Sequence, residues 1–233
     1  MITLEGVTKK YITKTAIRNI DLELSEGKII GLVGENGSGK STILKLIAGL
    51  IQPSKGTVSV NGVKVDHQIA SQVSYSSELD EYYSFYNVGQ TIDFYASQFP
   101  DFNTEKADEI RQFMKLDSNA KLKQLSKGNR GRLKIVLTLA REVPIILMDE
   151  PLSGLDPMVR NSIVKGLISF IDLEKQTILI TTHEIKEIEA ILEDVIVIKD
   201  GDIISHQNVE KIRSEQNVGI VEWMTTMYEE SNI

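Results

Sequence analysis

The spacing of apolar and polar residues changes several times along the chain, and each change predicts an element. Residues 2–8 read as a strand, and Ile20, Leu22 and Leu24 alternate with Asp21 and Glu23, the pattern of a half-exposed antiparallel strand. Ser25-Glu26-Gly27 then turns the chain into the apolar run Ile29, Ile30, Gly31, Leu32, Val33, which reads as a buried parallel strand. Ile43, Leu44, Ile47, Ala48 and Leu50 follow at helical spacing. Thr57–Val60 and Val63–Val65 flank Asn61-Gly62, a strong hairpin signal. Val73–Ser76 reads as another strand. Residues 88–99 and 104–116 read as helices, the second with Ala107, Ile110, Met114 and Leu116 on one face. Leu125 to Val143 predicts a long helix with a nearly all-apolar, hence buried, centre from Leu133 to Ala140, stopped by Pro144.

Beyond Pro144, strands and helices alternate. Ile145–Met148 is a buried strand running into Asp149-Glu150, and Asp156-Pro157 opens a helix with Asp at the cap and Pro in the first turn. Thr177–Thr182 predicts a strand, His183–Glu193 a helix, Val195–Ile198 a strand and Asp200-Gly201 a turn. A helix near 208–216 precedes a last one carrying Ile220, Trp223, Met224, Met227 and Tyr228 at i, i+3, i+4, i+7 and i+8. Alternation of this kind implies a parallel sheet. The expected fold is therefore α/β. Its core sheet carries an antiparallel β subdomain in the first third, a helical subdomain over about 80–140 and C-terminal helices over about 207–230.

Composition narrows the chemistry. The 233 residues are 41% hydrophobic and 25% charged, which is ordinary for a globular protein with a sizeable core. There is no cysteine, so disulfides, thiol catalysis and cysteine-ligated zinc are excluded, in keeping with a reducing cytosol. His67, His183 and His206 show no metal-ligand spacing. No apolar run approaches the ~18 residues of a membrane span, and the N-terminus lacks a signal-peptide pattern. A net charge of −7 argues against broad electrostatic binding to nucleic acid, and no nucleic-acid partner is expected.

The most informative stretch is Gly34-Glu35-Asn36-Gly37-Ser38-Gly39-Lys40-Ser41-Thr42, which fits the phosphate-loop pattern G-x-x-x-x-G-K-[ST] without a mismatch. It lies between a predicted strand and a predicted helix, as the motif requires. The glycines let backbone N–H groups curl toward phosphate oxygens, and the helix N-terminus adds partial positive charge. Lys40 would reach the β and γ phosphates and Ser41 would ligate Mg²⁺. Asp149, at the end of an apolar strand, suits the hydration shell of a hard cation. Glu150, one residue on, could polarise the attacking water. The reading is a P-loop nucleotide hydrolase.

Further residues carry a family resemblance. Leu125-Ser126-Lys127-Gly128-Asn129 is similar to the LSGGQ signature of ATP-binding cassette (ABC) ATPases, and Ser153-Gly154-Leu155-Asp156 resembles their D-loop. His183 after Thr181-Thr182 resembles their switch histidine, and Tyr11 sits where the family stacks an aromatic on adenine. All stand in family order, from Met1 to about Ser205. The signature departs from the family at Lys127 and Asn129. The Q-loop glutamine is replaced by Glu78, which could still ligate Mg²⁺; Gln72 and Gln90 fit the spacing less well.

The resemblance implies one ABC ATP-binding domain over 1–233, with ATP and Mg²⁺ as cofactors. It also implies hydrolysis to ADP and phosphate through Lys40, Glu150 and His183. Ser126 and Gly128 of the signature would bind the γ-phosphate of a nucleotide held by a second ATPase subunit, identical or not, and Lys127, Asn129 and Asp156 would be nucleotide-binding as well. A separate transmembrane permease subunit would be the other partner, placing the chain in the cytoplasm on the inner face of the cell membrane. Glu78 followed by aromatics, with Lys127 in the signature, resembles the subset serving bacterial antimicrobial-peptide, antibiotic and amphipathic-peptide exporters, the staphylococcal phenol-soluble modulin exporter ATPases among them. The rival is a non-transport ABC ATPase of DNA repair, chromosome or protein-assembly type. The repair and chromosome type inserts a long coiled coil before the signature, and the short Ser41–Leu125 stretch carries no sustained heptads.

Overall fold

The structure, a computed structural model, describes residues 1–78, 82–183, 185–216 and 218–230. Ten strands and seven α-helices are assigned among them. Strands β1 (Ile2–Lys10), β2 (Thr15–Leu24), β4 (Lys55–Val60) and β5 (Val63–Lys64) form an antiparallel sheet of order β2-β1-β4-β5. The Asn61-Gly62 hairpin expected from sequence joins β4 to β5, with both turn residues at positive φ (51° and 76°).

The second sheet has the order β10-β9-β3-β8-β7-β6. Its members are β3 (Ile29–Val33), β6 (Val73–Ser76), β7 (Ile145–Asp149), β8 (Thr177–Thr182), β9 (Asp194–Lys199) and β10 (Asp202–Asn208). All neighbours are parallel except β9 and β10. Every residue of β3, β7 and β8 is buried, as expected for strands covered on both faces.

Side-chain alternation splits these strands between two cores. Ile145 and Leu147 join Ile30, Leu32 and Leu179 in a core with helix α1 (Lys40–Ile47) and the antiparallel sheet. Ile146 and Met148 face a core on the other side, with α4 (Lys127–Leu139) and α5 (Pro157–Phe170). Helices α2 (Val88–Gln98) and α3 (Thr104–Phe113) pack against α4. The chain ends in α6 (Val209–Gln216) and α7 (Ile220–Glu230), where Ile220 and Trp223 are buried.

Two expectations need correction, and one strand was not expected. The helix expected over Leu125–Val143 spans only Lys127–Leu139: Ser126 caps it by accepting the Asn129 N–H (3.2 Å), and it ends at an Ala140 C-cap, well before Pro144. The buried Arg141 lies beyond its end, bonded to Asp101 and to the Ala70 carbonyl. The helix expected over His183–Glu193 is two short 3₁₀ turns, Ile185–Glu187 and Glu189–Ile191. Strand β10, which no sequence pattern announced, pairs with β9 at the sheet edge; its residues are half-buried or exposed, so no clean alternation marks it. Glu81, at the head of the aromatic stretch, lies outside the described residues.

Candidate nucleotide site

Parallel pairing in register carries distant residues to one sheet edge. Val33 pairs with Thr182, Asp149 with Thr181, and Ser76 with Met148. The residues that follow these strand ends are Gly34, His183, Glu150 and Ser77-Glu78. They emerge side by side at the carboxyl edge, where open α/β sheets bind ligands. A cleft of about 620 Å³ opens there, lined among others by Tyr11, Lys14, Lys40, Glu78, Glu150 and His183.

The phosphate loop is shaped by close packing at its glycines. A Cβ on Gly34 would come within 2.3 Å of the Ile198 carbonyl oxygen. Gly39 combines φ +119° with contact against Ile17 and the Ala16 carbonyl, so no larger residue fits. Gly37 also has positive φ (+81°), and the Lys14 Nζ donates to its carbonyl at 3.0 Å. Lys40, at the head of α1, is buried and donates to the Gly34 and Glu35 carbonyls (2.7 and 3.1 Å). Ser41 and Thr42 follow in the first turn of α1, whose N–H groups have no intrahelical partner. Asn36 lines the cleft, and the buried Ser38 Oγ has no hydrogen-bond partner among the described residues.

Asp149 is a hub of hydroxyls. Its Oδ1 accepts from Ser41 (2.9 Å) and Thr181 (2.8 Å), and its Oδ2 from Tyr75 (3.2 Å). Burial, with the Asp149 charge beside it, pushes the Tyr75 phenol far above its ordinary value, so it stays protonated and donates. Glu150 adopts a left-handed backbone (φ +48°), sparsely populated for a non-glycine residue, and its N–H is fixed by Thr181 Oγ1 at 2.9 Å. Its carboxylate lies 2.8 Å from His183 Nδ1 through Oε2 and 3.5 Å from Lys40 Nζ through Oε1.

Two electrostatic features follow. An anionic ligand in the loop meets Lys40, Lys14 and a helix N-terminus. Ser41 and Glu78 line the cleft and Asp149 bonds Ser41 from behind (2.9 Å), so oxygens of the type that suits a hard cation stand beside the loop. The buried, unpartnered Ser38 hydroxyl and the glycine-lined cradle fit a bound polyphosphate.

The sequence-derived residues thus divide into two groups. Tyr11, Gly37, Gly39, Lys40, Ser41, Thr42, Glu78, Glu150 and His183 share the cleft, and Asp149 stands behind Ser41. Ser126, Gly128, Asn129 and Asp156 do not line it. They pack on one another instead: a Cβ on Gly128 would lie 2.9 Å from Val159 and 3.7 Å from Asp156 Oδ2, while Asp156 Oδ1 caps α5. Lys127 crosses the D-loop against Gly154 and borders a smaller hollow with Glu78 and Glu150. Gln72 and Gln90 are engaged elsewhere, the first with Asn61, the second in the capping box of α2.

Sequence reasoning missed Thr181, Tyr75 and Lys14. A hydroxyl paired in register with the strand-end Asp149 could have pointed to Thr181; nothing in the local pattern marks the other two. No group of three or more acidic, His or Cys side chains suited to a metal occurs among the described residues, and no helix there is long and apolar enough to cross a membrane.

A family model described as ABC transporter matches residues 17–153. The Nod factor export ATP-binding protein I of Cupriavidus metallidurans is 31% identical over 231 residues, covering 95% of this chain and 76% of that protein. The ABC transporter ATP-binding protein YtrB of Bacillus subtilis is 27% identical over 217 residues, covering 92% and 74%. The solved dimeric cassette MJ0796, in a post-hydrolysis state bound to ADP and Pi, matches with a TM-score of 0.80 at 25% identity, covering 89% of this chain and 98% of that one.

Proposed function

This chain belongs to the ABC transporter family, and we propose that it is the subunit that hydrolyses ATP to ADP and phosphate for a separate membrane-embedded partner. The observation that carries this reading is the placement of Glu150 against both His183 and Lys40 in the cleft of the phosphate loop. The loop amides and Lys40 bind the polyphosphate, and Tyr11 at the cleft mouth offers a ring for the adenine. Glu150 takes a proton from the attacking water, and His183 orients that carboxylate. Ser41, Asp149 and Glu78 would hold Mg²⁺, which when bound offsets charge on the β and γ phosphates.

Ser153 at the head of the D-loop lines this cleft, but the signature residues and Asp156 do not, so a second ATPase subunit bringing its own signature completes the site. The dimeric state of the MJ0796 cassette supports that arrangement. The membrane partner docks in a groove of about 500 Å³ bordered by Leu50, Tyr75, Tyr82, Tyr95 and Phe99. Such a partner places the chain at the cytoplasmic face of the membrane. Export of peptides or antibiotics is the transport we favour; a relative named for export supports the direction, and the Glu78 and Lys127 departures support the class.

Beside the groove, Tyr83 and Phe85 stand 52% and 68% exposed, whereas Tyr82 packs partly into the core. Exposed aromatics are common anchors for a docked helix. We expect Tyr83→Asp and Phe85→Asp to melt like the unaltered protein, to bind ATP normally, and to lose co-purification with the co-expressed membrane subunit. Folded variants that still co-purify and support transport would place the docking surface elsewhere.

A further inference from the structure

The C-terminal helix reaches the phosphate loop. The Tyr228 hydroxyl on α7 accepts the Glu35 backbone N–H at 3.2 Å and donates to the Ile198 carbonyl at 3.1 Å. That same carbonyl abuts Gly34, so one phenol joins the first residues of the loop to the end of β9. Burial raises the Tyr228 phenol above its ordinary value, which keeps the proton that the second bond requires. Lys199 holds the ring from beside it, with Nζ 3.4 Å from the Tyr228 carbonyl and 5.8 Å from the ring centroid.

The other end of α7 is anchored in the core beside the turns that follow His183. Ile220 and Trp223 are fully buried, α7 packs on the Ile185–Glu187 turn that follows His183, and the Ile220 N–H lies 3.5 Å from Glu189 Oε1. The helix therefore ties the phosphate loop to the 3₁₀ turns that follow His183. The helix lies outside the matched family stretch of residues 17–153, while Glu35, the loop residue it bonds, lies within it.

We propose that Tyr228 is a positioning residue for the phosphate loop, through which the C-terminal helix sets nucleotide affinity. The inference rests on the nucleotide site proposed above. Without the phenol, the Glu35 amide loses its partner and the loop gains alternative shapes, so part of the binding energy goes into ordering it.

Tyr228→Phe keeps the ring and removes only the hydroxyl, and Tyr228→Ala removes both. Tyr228→Phe loses both bonds of the hydroxyl, and ADP affinity measured by calorimetry should fall about three- to tenfold, the effect of the one that reaches the loop, from the Glu35 amide. Its melting curve should stay close to that of the unaltered protein. If the ring merely packs, Tyr228→Phe would bind as the unaltered protein does and only Tyr228→Ala would lose affinity, which overturns the inference. Trp223, the only tryptophan of the chain, gives a second reading. Its emission should shift on ADP binding, and the shift should shrink at saturating ADP in Tyr228→Phe. An equal shift in both proteins would count against the tie. If the unaltered protein takes up no ADP, the proposed function falls and this inference with it; unchanged affinity in Tyr228→Phe overturns the inference alone.

Discussion

Glu150→Gln preserves the shape of the side chain and removes its charge, so it separates chemistry from binding. A positioned general base contributes about 10²–10⁴-fold to rate, or roughly 3–5 kcal/mol of barrier. A second effect acts on binding. Glu150 Oε1 lies 3.5 Å from the Lys40 ammonium, and the two side chains are 9% and 6% exposed. At an effective dielectric near 20, that separation corresponds to a gross attraction of about 5 kcal/mol, largely offset by desolvation. With Gln, Lys40 keeps only the Gly34 and Glu35 carbonyls. The empty variant should therefore melt below the unaltered protein, and ATP should meet a cation with no resident carboxylate competing for it. At ATP about 100 times above Kd, the bound variant gains about 2.7 kcal/mol, roughly 5–11 °C in Tm for a chain of this size. The assay pairs phosphate release under Mg-ATP with melting curves with and without ATP. Turnover within about threefold of the unaltered enzyme would refute the base assignment, since a general base is worth at least ~10². Loss of turnover together with loss of the ATP-dependent Tm gain would move Glu150 from chemistry to binding.

Further outcomes are expected. Ser126→Arg and Lys40→Ala should each abolish hydrolysis alone and partly restore it when mixed, because a mixed dimer holds one intact composite site; no recovery despite demonstrated mixing would argue against a site shared between subunits. Tyr75→Phe removes the donor to Asp149 Oδ2 (3.2 Å), a bond to a charged acceptor worth about 1.5–3 kcal/mol. A Mg²⁺ titration of turnover should show a raised half-maximal concentration and about tenfold lower rate, while an unchanged Mg²⁺ profile would limit Tyr75 to packing.

Much of this protein was legible along the chain because its signals are local. A phosphate loop needs particular glycines, a lysine and a hydroxyl within nine consecutive residues, Gly34 to Thr42, flanked by a strand and a helix. Buried parallel strands announce themselves as apolar runs, so β3, β7 and β8 were readable nearly to the residue. Asp156 capping α5 and the Asn61-Gly62 hairpin follow from short-range hydrogen bonding and allowed φ.

What the chain pattern could not supply is whatever depends on register or on a remote neighbour. The helix expected after His183 is two 3₁₀ turns with Ile185 and Ile188 buried; an i, i+3 apolar spacing suits either kind of helix, so the pattern could not decide between them. Thr181 and Tyr75 reach Asp149 only because β6, β7 and β8 pair in parallel with a definite register. Tyr228 meets Glu35 only because α7 folds back over the end of β9, a contact spanning 193 positions of sequence. Periodicity encodes which face of an element is apolar, but not which distant backbone group will lie opposite a given hydroxyl. That pairing is decided when the layers pack.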